Sequence, residues 1–202
     1  MNRVIWLLIV SDILILSAFG LISPIFAIFL KEEIAGGSIM AAGLASTIFF
    51  LVKSVSQLPL SRLIDTKKEK LGFLIAGTFL IAATPFIYAF SPNVKFIYFA
   101  QVVYGLGAAM SYPAWFTLFT NYIDKKHQGW EWSVWGTGVG FGTAGTAYIG
   151  AKLAGTFGFN KVFYLVGASS LLGMFLLFFL SKKYLRDAKR ISHFLKMDHL
   201  KR

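Results

Sequence analysis

Two ionisable side chains stand out because each lies inside a long apolar stretch of the sequence. Asp12 lies within WLLIVSDILILSAFGLI, and Lys53 lies within FFLVKSVSQLP. Asp12 lies about nine residues after the start of its stretch and Lys53 about eight residues before the end of its own. In consecutive antiparallel helices, at roughly 1.5 Å per residue, both would lie around 12 Å from the same side. Charges in such surroundings usually face a cavity or a partner. We therefore expect an Asp12–Lys53 ion pair, which is either a proton- or ion-sensitive gate or a static contact, unless Lys53 extends alone toward a polar boundary.

A second group of side chains could hold a small solute through hydrogen bonds and ring stacking. It lies in QVVYGLGAAMSYPAWF and consists of Gln101, Tyr104, Tyr112 and Trp115. Aromatic rings of this kind suit sugars and hydrophobic compounds equally, so the pattern does not choose a substrate. The same groups could instead join helices through hydrogen bonds, which is the commoner role for a single Gln.

The remaining reactive residue types argue against an enzyme. The sequence has no Cys, which excludes thiolate nucleophiles and thiolate metal ligands. Its three histidines, His127, His193 and His199, all lie in polar segments. No pair of carboxylates lies at a plausible catalytic depth. We expect no enzymatic activity, no cofactor and no metal.

The composition indicates a protein that lies in a bilayer. Hydrophobic residues make up 56% of the chain and charged residues 14%, against about 45–50% and about 25% in soluble domains. Six stretches approach the roughly 20 residues that cross the hydrocarbon core, and they cover residues 4–30, 39–60, 71–90, 96–119, 132–155 and 162–180. The sequence predicts an all-α integral membrane protein, with a six-helix transmembrane bundle over residues 1–181 and a basic cytoplasmic tail over 182–202.

The basic residues alternate along the chain in a way that orients this bundle. The N-terminal segment and every second polar segment after it carry fifteen Lys and Arg residues, whereas the opposite side carries four. Because Lys and Arg accumulate on the cytoplasmic side, we expect both termini to be cytoplasmic, in the plasma (inner) membrane. The net charge of +11 then reflects this asymmetry and no nucleic-acid partner. The tail is expected either to lie along anionic headgroups or to be solvated.

The fifth apolar stretch is rich in glycine, which lets helix backbones approach closely in lipid. Two overlapping G-x-x-x-G pairs are followed by two further glycines. The predicted packing residues are Gly136, Gly138, Gly140, Gly142, Gly145 and Gly150.

The polar segment SRLIDTKKEK, residues 61–70, concentrates charge between the second and third stretches. Six helices with both ends inside and a charged segment at this place resemble one half of a major facilitator superfamily transporter, in which the loop follows G-x-L-A-D-R-x-G-R-R. Ser61 stands at the glycine position, Asp65 at the aspartate and Lys70 at the final basic position. Four residues depart from the pattern: Ser61 itself, Thr66, Lys68 and Glu69.

The resemblance implies a mechanism in which two six-helix bundles rock about a central site. The first and fourth helices would line the cavity, and the second and fifth would face the other bundle. Asp65 would lie near a helix end of that bundle, and Asp124 would be a partner of Lys70 in a cytoplasmic gate. Gln101 stands where many members of the family have an arginine tied to proton coupling, so proton coupling through this position is not implied.

A full transporter of this family has about twelve helices, twice the number predicted here. The expected function is secondary transport of a small solute, with a homodimer or a second six-helix chain completing the cavity. Two alternatives remain open at the level of sequence. The chain could be a fragment of a split or truncated transporter, or a membrane scaffold that binds partners without transporting.

Overall fold

The structure is a computed structural model, and it describes residues 1–67 and 69–198, with side chains as far as residue 180. The described chain is built from helices joined by short connections. In chain order they are Arg3–Gly20 (α1), Phe26–Glu33 (α2), Ile39–Thr66 (α3), Lys70–Ala89 (α4), Val94–Tyr122 (α5), Gln128–Phe157 (α6) and Phe159–Asp198 (α7).

Five helices of the described chain are long and apolar enough to cross a membrane: α1, α3, α4, α5 and the part of α7 over Phe159–Leu180. With 30 residues α6 is also long enough, but its eight glycines leave it less hydrophobic than the others. These helices bear out the prediction of an all-α membrane protein. The count of six spans and the cytoplasmic position of both termini stay predictions.

The first predicted span, residues 4–30, is divided in the structure. α1 ends at Gly20, residues 21–25 form turns, and α2 begins at Phe26. Pro24 explains the break because it has no N–H to donate to the preceding turn. The chain tightens there, with Ile25 N donating to Ile22 O at 3.0 Å, which is the spacing of a 3₁₀ turn.

Two other helices extend beyond their predicted ends. α3 continues through Pro59 to Thr66, and Ser38 begins it by accepting a 3.0 Å hydrogen bond from Ala41 N. α7 continues past residue 180 to Asp198. The predicted tail over 182–202 therefore begins as a continuation of the last helix, and its residues 199–202 lie outside the described residues.

α5 packs against both α3 and α4, and α1 packs against α6 and α7. The contact of α4 with α7 joins these two groups of helices. Along α1, one apolar cluster surrounds Ile5 and Leu8, and a second surrounds Leu21. The side chains of α1 between these clusters border the main cavity.

The closest approach of α4 to α5 depends on two facing glycines that the sequence analysis did not select. A Cβ on Gly77 would lie 2.6 Å from the carbonyl oxygen of Gly107, and a Cβ on Gly107 would lie 2.8 Å from that of Gly77. Real Cβ atoms essentially never come so close to another atom. The two helices can therefore be in contact here only because neither residue has a side chain.

α3 is the least buried of the apolar helices. Only 17% of its most apolar window is buried inside the bundle, against 50% for α1 and for α4. α6 also presents large apolar side chains outward, with Phe141 78% and Tyr148 75% exposed. These two helices therefore offer apolar faces to lipid or to another helical bundle.

Candidate functional site

A cavity of about 270 Å³ lies in the bundle between the two apolar clusters. Its wall includes three of the four residues that the sequence analysis proposed for solute binding, Tyr104, Tyr112 and Trp115. The fourth, Gln101, is 4% exposed and lines a neighbouring cavity of about 340 Å³. Tyr104 lines both cavities. The four predicted residues therefore border two adjacent cavities, and Gln101 lines a different cavity from Asp12 and Lys53.

Three stacked rings stand between the two cavities. Tyr104 lies between Phe19 and Phe49, with ring centres 4.9 Å and 4.4 Å apart respectively. All three residues line both cavities. They join α1, α3 and α5 by aromatic contact, which adds to the stability gained by burial alone.

Asp12 and Lys53 both line the main cavity, but they do not form the predicted ion pair. Asp12 Oδ2 instead accepts a 2.7 Å hydrogen bond from Trp135 Nε1. Lys53 Nζ lies 4.3 Å from the ring centre of Tyr112, and no carboxylate lies within 4.0 Å of it among the described residues. Their predicted common depth agrees with their place in the wall of one cavity and stays a prediction. The contacts differ from the predicted pair because α1 packs mainly against α6 and α7, whereas α3 packs mainly against α5.

Trp115 is the centre of an aromatic cluster at one end of the cavity. Its Nε1 donates a 3.3 Å hydrogen bond to the carbonyl oxygen of Leu8, and its ring stacks on Phe119 at 4.7 Å. Trp132 and Trp135 of α6 complete the cluster, with centres 6.1 Å and 5.2 Å from Trp115. The sequence analysis missed both. Their spacing of three residues, which places them on one helical face, was the available signal.

The six predicted packing glycines divide into two faces of α6. Gly138 and Gly142 point at Ile13 and Ser17 of α1, and Gly150 points at the backbone of Leu21, which directly follows α1. Thr146 lies in the same row and donates a 2.6 Å hydrogen bond to Ser17 O. The other three have open space where a Cβ would be: Gly136, Gly140 and Gly145. Only half of the predicted set therefore packs within the described chain.

The predicted gating residues lie near the connections α3–α4 and α5–α6 but pair differently from the expectation. Lys70 Nζ lies 4.0 Å from Asp65 Oδ1, and no contact joins Lys70 to Asp124 among the described residues. Asp124 instead faces His127, with 2.8 Å between Oδ2 and Nδ1. The hydrogen bond with His127 is the main cause that lowers the pKa of the exposed Asp124 carboxyl. Ser61 Oγ donates to Leu58 O at 2.9 Å within its own helix.

Glu131 is a buried carboxylate that the sequence analysis did not select. It is 1% exposed, and its Oε2 accepts a 3.1 Å hydrogen bond from the backbone N–H of Asp124. It also lies in the first turn of α6, where the helix dipole favours a negative charge. An acid in a first turn was therefore the signal that could have identified it. Glu131 fixes the α5–α6 connection to the body of the bundle.

Replacing Glu131 with Ala is expected to speed hydrogen exchange of the Asp124 amide by at least about fivefold, because a bond of roughly 1–3 kcal/mol is lost. Glu131→Gln keeps an acceptor oxygen and is expected to retain most of the protection. The measurement is hydrogen–deuterium exchange of purified protein, with Glu69→Ala as the control at an exposed acid. Equal exchange in Glu131→Ala and the unmodified chain would contradict the assigned contact.

The sequence of this chain is similar to those of known membrane transporters. The chain is 25% identical over 205 residues to the uncharacterized MFS-type transporter MJ1560 of Methanocaldococcus jannaschii, covering 98% of this chain and 52% of that protein. It is 26% identical over 153 residues to the voltage-gated purine nucleotide uniporter SLC17A9 of Homo sapiens, covering 74% of this chain and 35% of the relative.

A third relative is the proton-coupled antiporter flippase LtaA of Staphylococcus haemolyticus. It is 29% identical over 116 residues, which are 56% of this chain and 29% of the flippase. The chain thus spans about half the length, or less, of these curated relatives. The family model of the Major Facilitator Superfamily matches residues 8–196, and this match confirms the resemblance carried by the 61–70 segment: the chain is a multi-pass membrane protein that belongs to the Major Facilitator Superfamily.

Proposed function

We propose that this chain forms one six-helix bundle of a transporter that carries a small solute across the plasma membrane by alternating access. The observation that carries the proposal is the cavity of about 270 Å³ with Asp12 and Lys53 in its wall. Charged groups within membrane-spanning helices are costly and are typical of solute or ion pathways. In transporters built from repeats, the binding site lies near the middle of the membrane at the repeat interface.

A second six-helix bundle is proposed to cover the outward faces of α3 and α6. Tyr148 and Phe141 are exposed there, and Gly140 has no neighbour within 4 Å of a Cβ. The second bundle would be another copy of this chain or a separate six-helix chain. With both termini cytoplasmic, the segment from Ser61 to Lys70 and the connection at Asp124 would then meet the second bundle at its cytoplasmic end and act as the gate.

Uptake by proteoliposomes tests transport directly. The reconstituted chain is expected to accumulate at least one member of a panel of labelled solutes above the level of empty vesicles, and the panel is run with and without a proton gradient. A dependence on the gradient would identify proton coupling. A protein that binds no solute and gives no uptake would favour a membrane scaffold instead.

The absence of native cysteine allows a clean test of the second bundle. A single cysteine at Tyr148, on the outward face of α6, is expected to be crosslinked by a bifunctional thiol reagent into a dimer of about twice 22.4 kDa. Phe175→Cys is the control, because Phe175 is 57% exposed on α7. Equal crosslinking at both positions, or none at Tyr148, would argue against a second copy on this face.

A further inference from the structure

The main cavity contains two opposite charges that do not neutralise each other. Asp12 lies on α1 and Lys53 on α3, both in the cavity wall, and the described chain places no oxygen–nitrogen contact of 4.0 Å or less between them. Opposite charges in an apolar interior are usually paired, because an unpaired charge there carries its full desolvation penalty. Both groups therefore face one cavity without being paired to each other.

Lys53 is available to bind an anionic group. Its ammonium lies 4.3 Å from the ring centre of Tyr112 and 5.9 Å from that of Phe49, so both rings face a positive charge. Rings accept no strong hydrogen bond, and no carboxylate of a described residue lies within 4.0 Å of Lys53 Nζ. An ammonium has three N–H donors. These donors point to a carboxylate or a similar anion as the missing partner.

Asp12 is available to bind a cationic group. Trp135 Nε1 holds one carboxylate oxygen, Oδ2, at 2.7 Å. This neutral donor orients the carboxylate without cancelling its charge, and an ionised carboxylate can accept several hydrogen bonds. Asp12 is part of the cavity wall, and among the described residues only Trp135 forms a hydrogen bond with its carboxylate.

The rest of the wall favours a ring or another flat apolar group. Tyr104 and Phe49 stack at 4.4 Å on one side. At about 270 Å³ the cavity is below the usual range of roughly 300–1,000 Å³ for drug-sized ligands. A simple anion would be attracted by Lys53 but repelled by Asp12. A simple cation would be attracted by Asp12 but repelled by Lys53. A molecule with both charges satisfies both residues.

We propose that this cavity binds a small zwitterion of the aromatic amino-acid class, with its carboxylate at Lys53, its ammonium at Asp12 and its ring against the aromatic wall. The proposal rests on the proposed transport function for its biological role. Binding itself is a separate property that can be measured without transport.

Three probes that differ by one charged group test the proposal. L-phenylalanine carries both charges, 3-phenylpropionate lacks the ammonium, and phenethylamine lacks the carboxylate. Equilibrium binding of the radiolabelled probes to the purified full chain is expected to be saturable and at least about tenfold tighter for L-phenylalanine than for either analogue, because each analogue leaves one charge unpaired.

Two substitutions are expected to give crossed effects. Lys53→Met is expected to weaken the binding of L-phenylalanine at least about tenfold, while phenethylamine binds as tightly as before or more tightly. Asp12→Asn is expected to weaken the binding of L-phenylalanine, while 3-phenylpropionate binds as tightly as before or more tightly. Lys53→Arg and Asp12→Glu keep the charges and are expected to restore L-phenylalanine binding, which separates a lost charge from a lost fold.

The outcomes distinguish this proposal from the transport function. Binding of L-phenylalanine without uptake would support the zwitterion site and contradict transport. Uptake of a different solute without L-phenylalanine binding would overturn the site and leave transport in place. Equal binding of all three probes, or no binding of any, would also overturn the zwitterion site.

Discussion

Replacing Trp115 with Ala is expected to lower the free energy of unfolding by about 3–5 kcal/mol, the usual range for removal of a buried aromatic side chain. Trp115 is 5% exposed and stacks on Phe119 with 4.7 Å between the ring centres. It also supplies the 3.3 Å hydrogen bond that joins α5 to the Leu8 carbonyl of α1. The substitution therefore removes a ring, an inter-helix hydrogen bond and the support of two tryptophans on α6.

Titration of the purified protein with a denaturing detergent, followed by circular dichroism, measures this loss. Trp130→Ala is the matched control, because Trp130 is 69% exposed and surface substitutions usually change stability by no more than about 0.5 kcal/mol. The loss of stability for Trp115→Phe should lie between the losses for Trp115→Ala and Trp130→Ala, since Phe keeps most of the ring area but not the N–H donor. A similar loss for Trp115→Ala and Trp130→Ala would rule out a central packing role for Trp115.

Replacing Gly150 with Ala is expected to lower the free energy of unfolding by about 1–3 kcal/mol, as overpacking of a tight contact does. A Cβ at Gly150 would collide with the backbone of Leu21. Backbone cannot rotate away as the end of a side chain can, so α6 must move from α1.

Gly145→Ala provides an internal control for this substitution. It lies on the same helix and has nothing within 4 Å of an added Cβ. Both substitutions gain the same helix propensity, about 0.5–1 kcal/mol for Gly to Ala. We expect Gly145→Ala to be neutral or slightly stabilising in the same detergent titration. If both variants unfold at the same detergent concentration, the close contact between α6 and Leu21 is not present in solution.

The sequence predicted the broad architecture because long apolar runs have few alternatives. A stretch such as the one around Lys53 can form only a helix when no water is present to satisfy its backbone. The internal break near Pro24 was harder to place. A proline removes one N–H but does not determine whether a helix is interrupted, as near Pro24, or continues, as α3 does through Pro59.

The pairing of side chains could not be read from depth alone. Asp12 and Lys53 were assigned to similar depths and both line the cavity, but the direction in which each points depends on how α1 and α3 pack around α5. The actual partner of Asp12, Trp135, lies 123 residues away in sequence. No local sequence pattern around Asp12 or Trp135 indicates that the two side chains are in contact.

The glycine-rich stretch illustrates the same limit. A G-x-x-x-G pattern predicts that some helix comes close, but it does not identify which of two interleaved rows does so. Gly138 and Gly142 contact α1, whereas Gly136 and Gly140 face open space. The pair Gly77 and Gly107 was missed because its two members lie on different helices and form no local motif.

Glu131 and Trp135 lie four residues apart on α6, or roughly 6 Å along the axis of one rigid helix. Glu131 holds the backbone of the α5–α6 connection at 3.1 Å, and Trp135 holds the Asp12 carboxylate at 2.7 Å. A displacement of α6 along its axis would therefore move both hydrogen-bonding groups together. The surface connection and the buried charge are therefore mechanically linked through a single turn of helix.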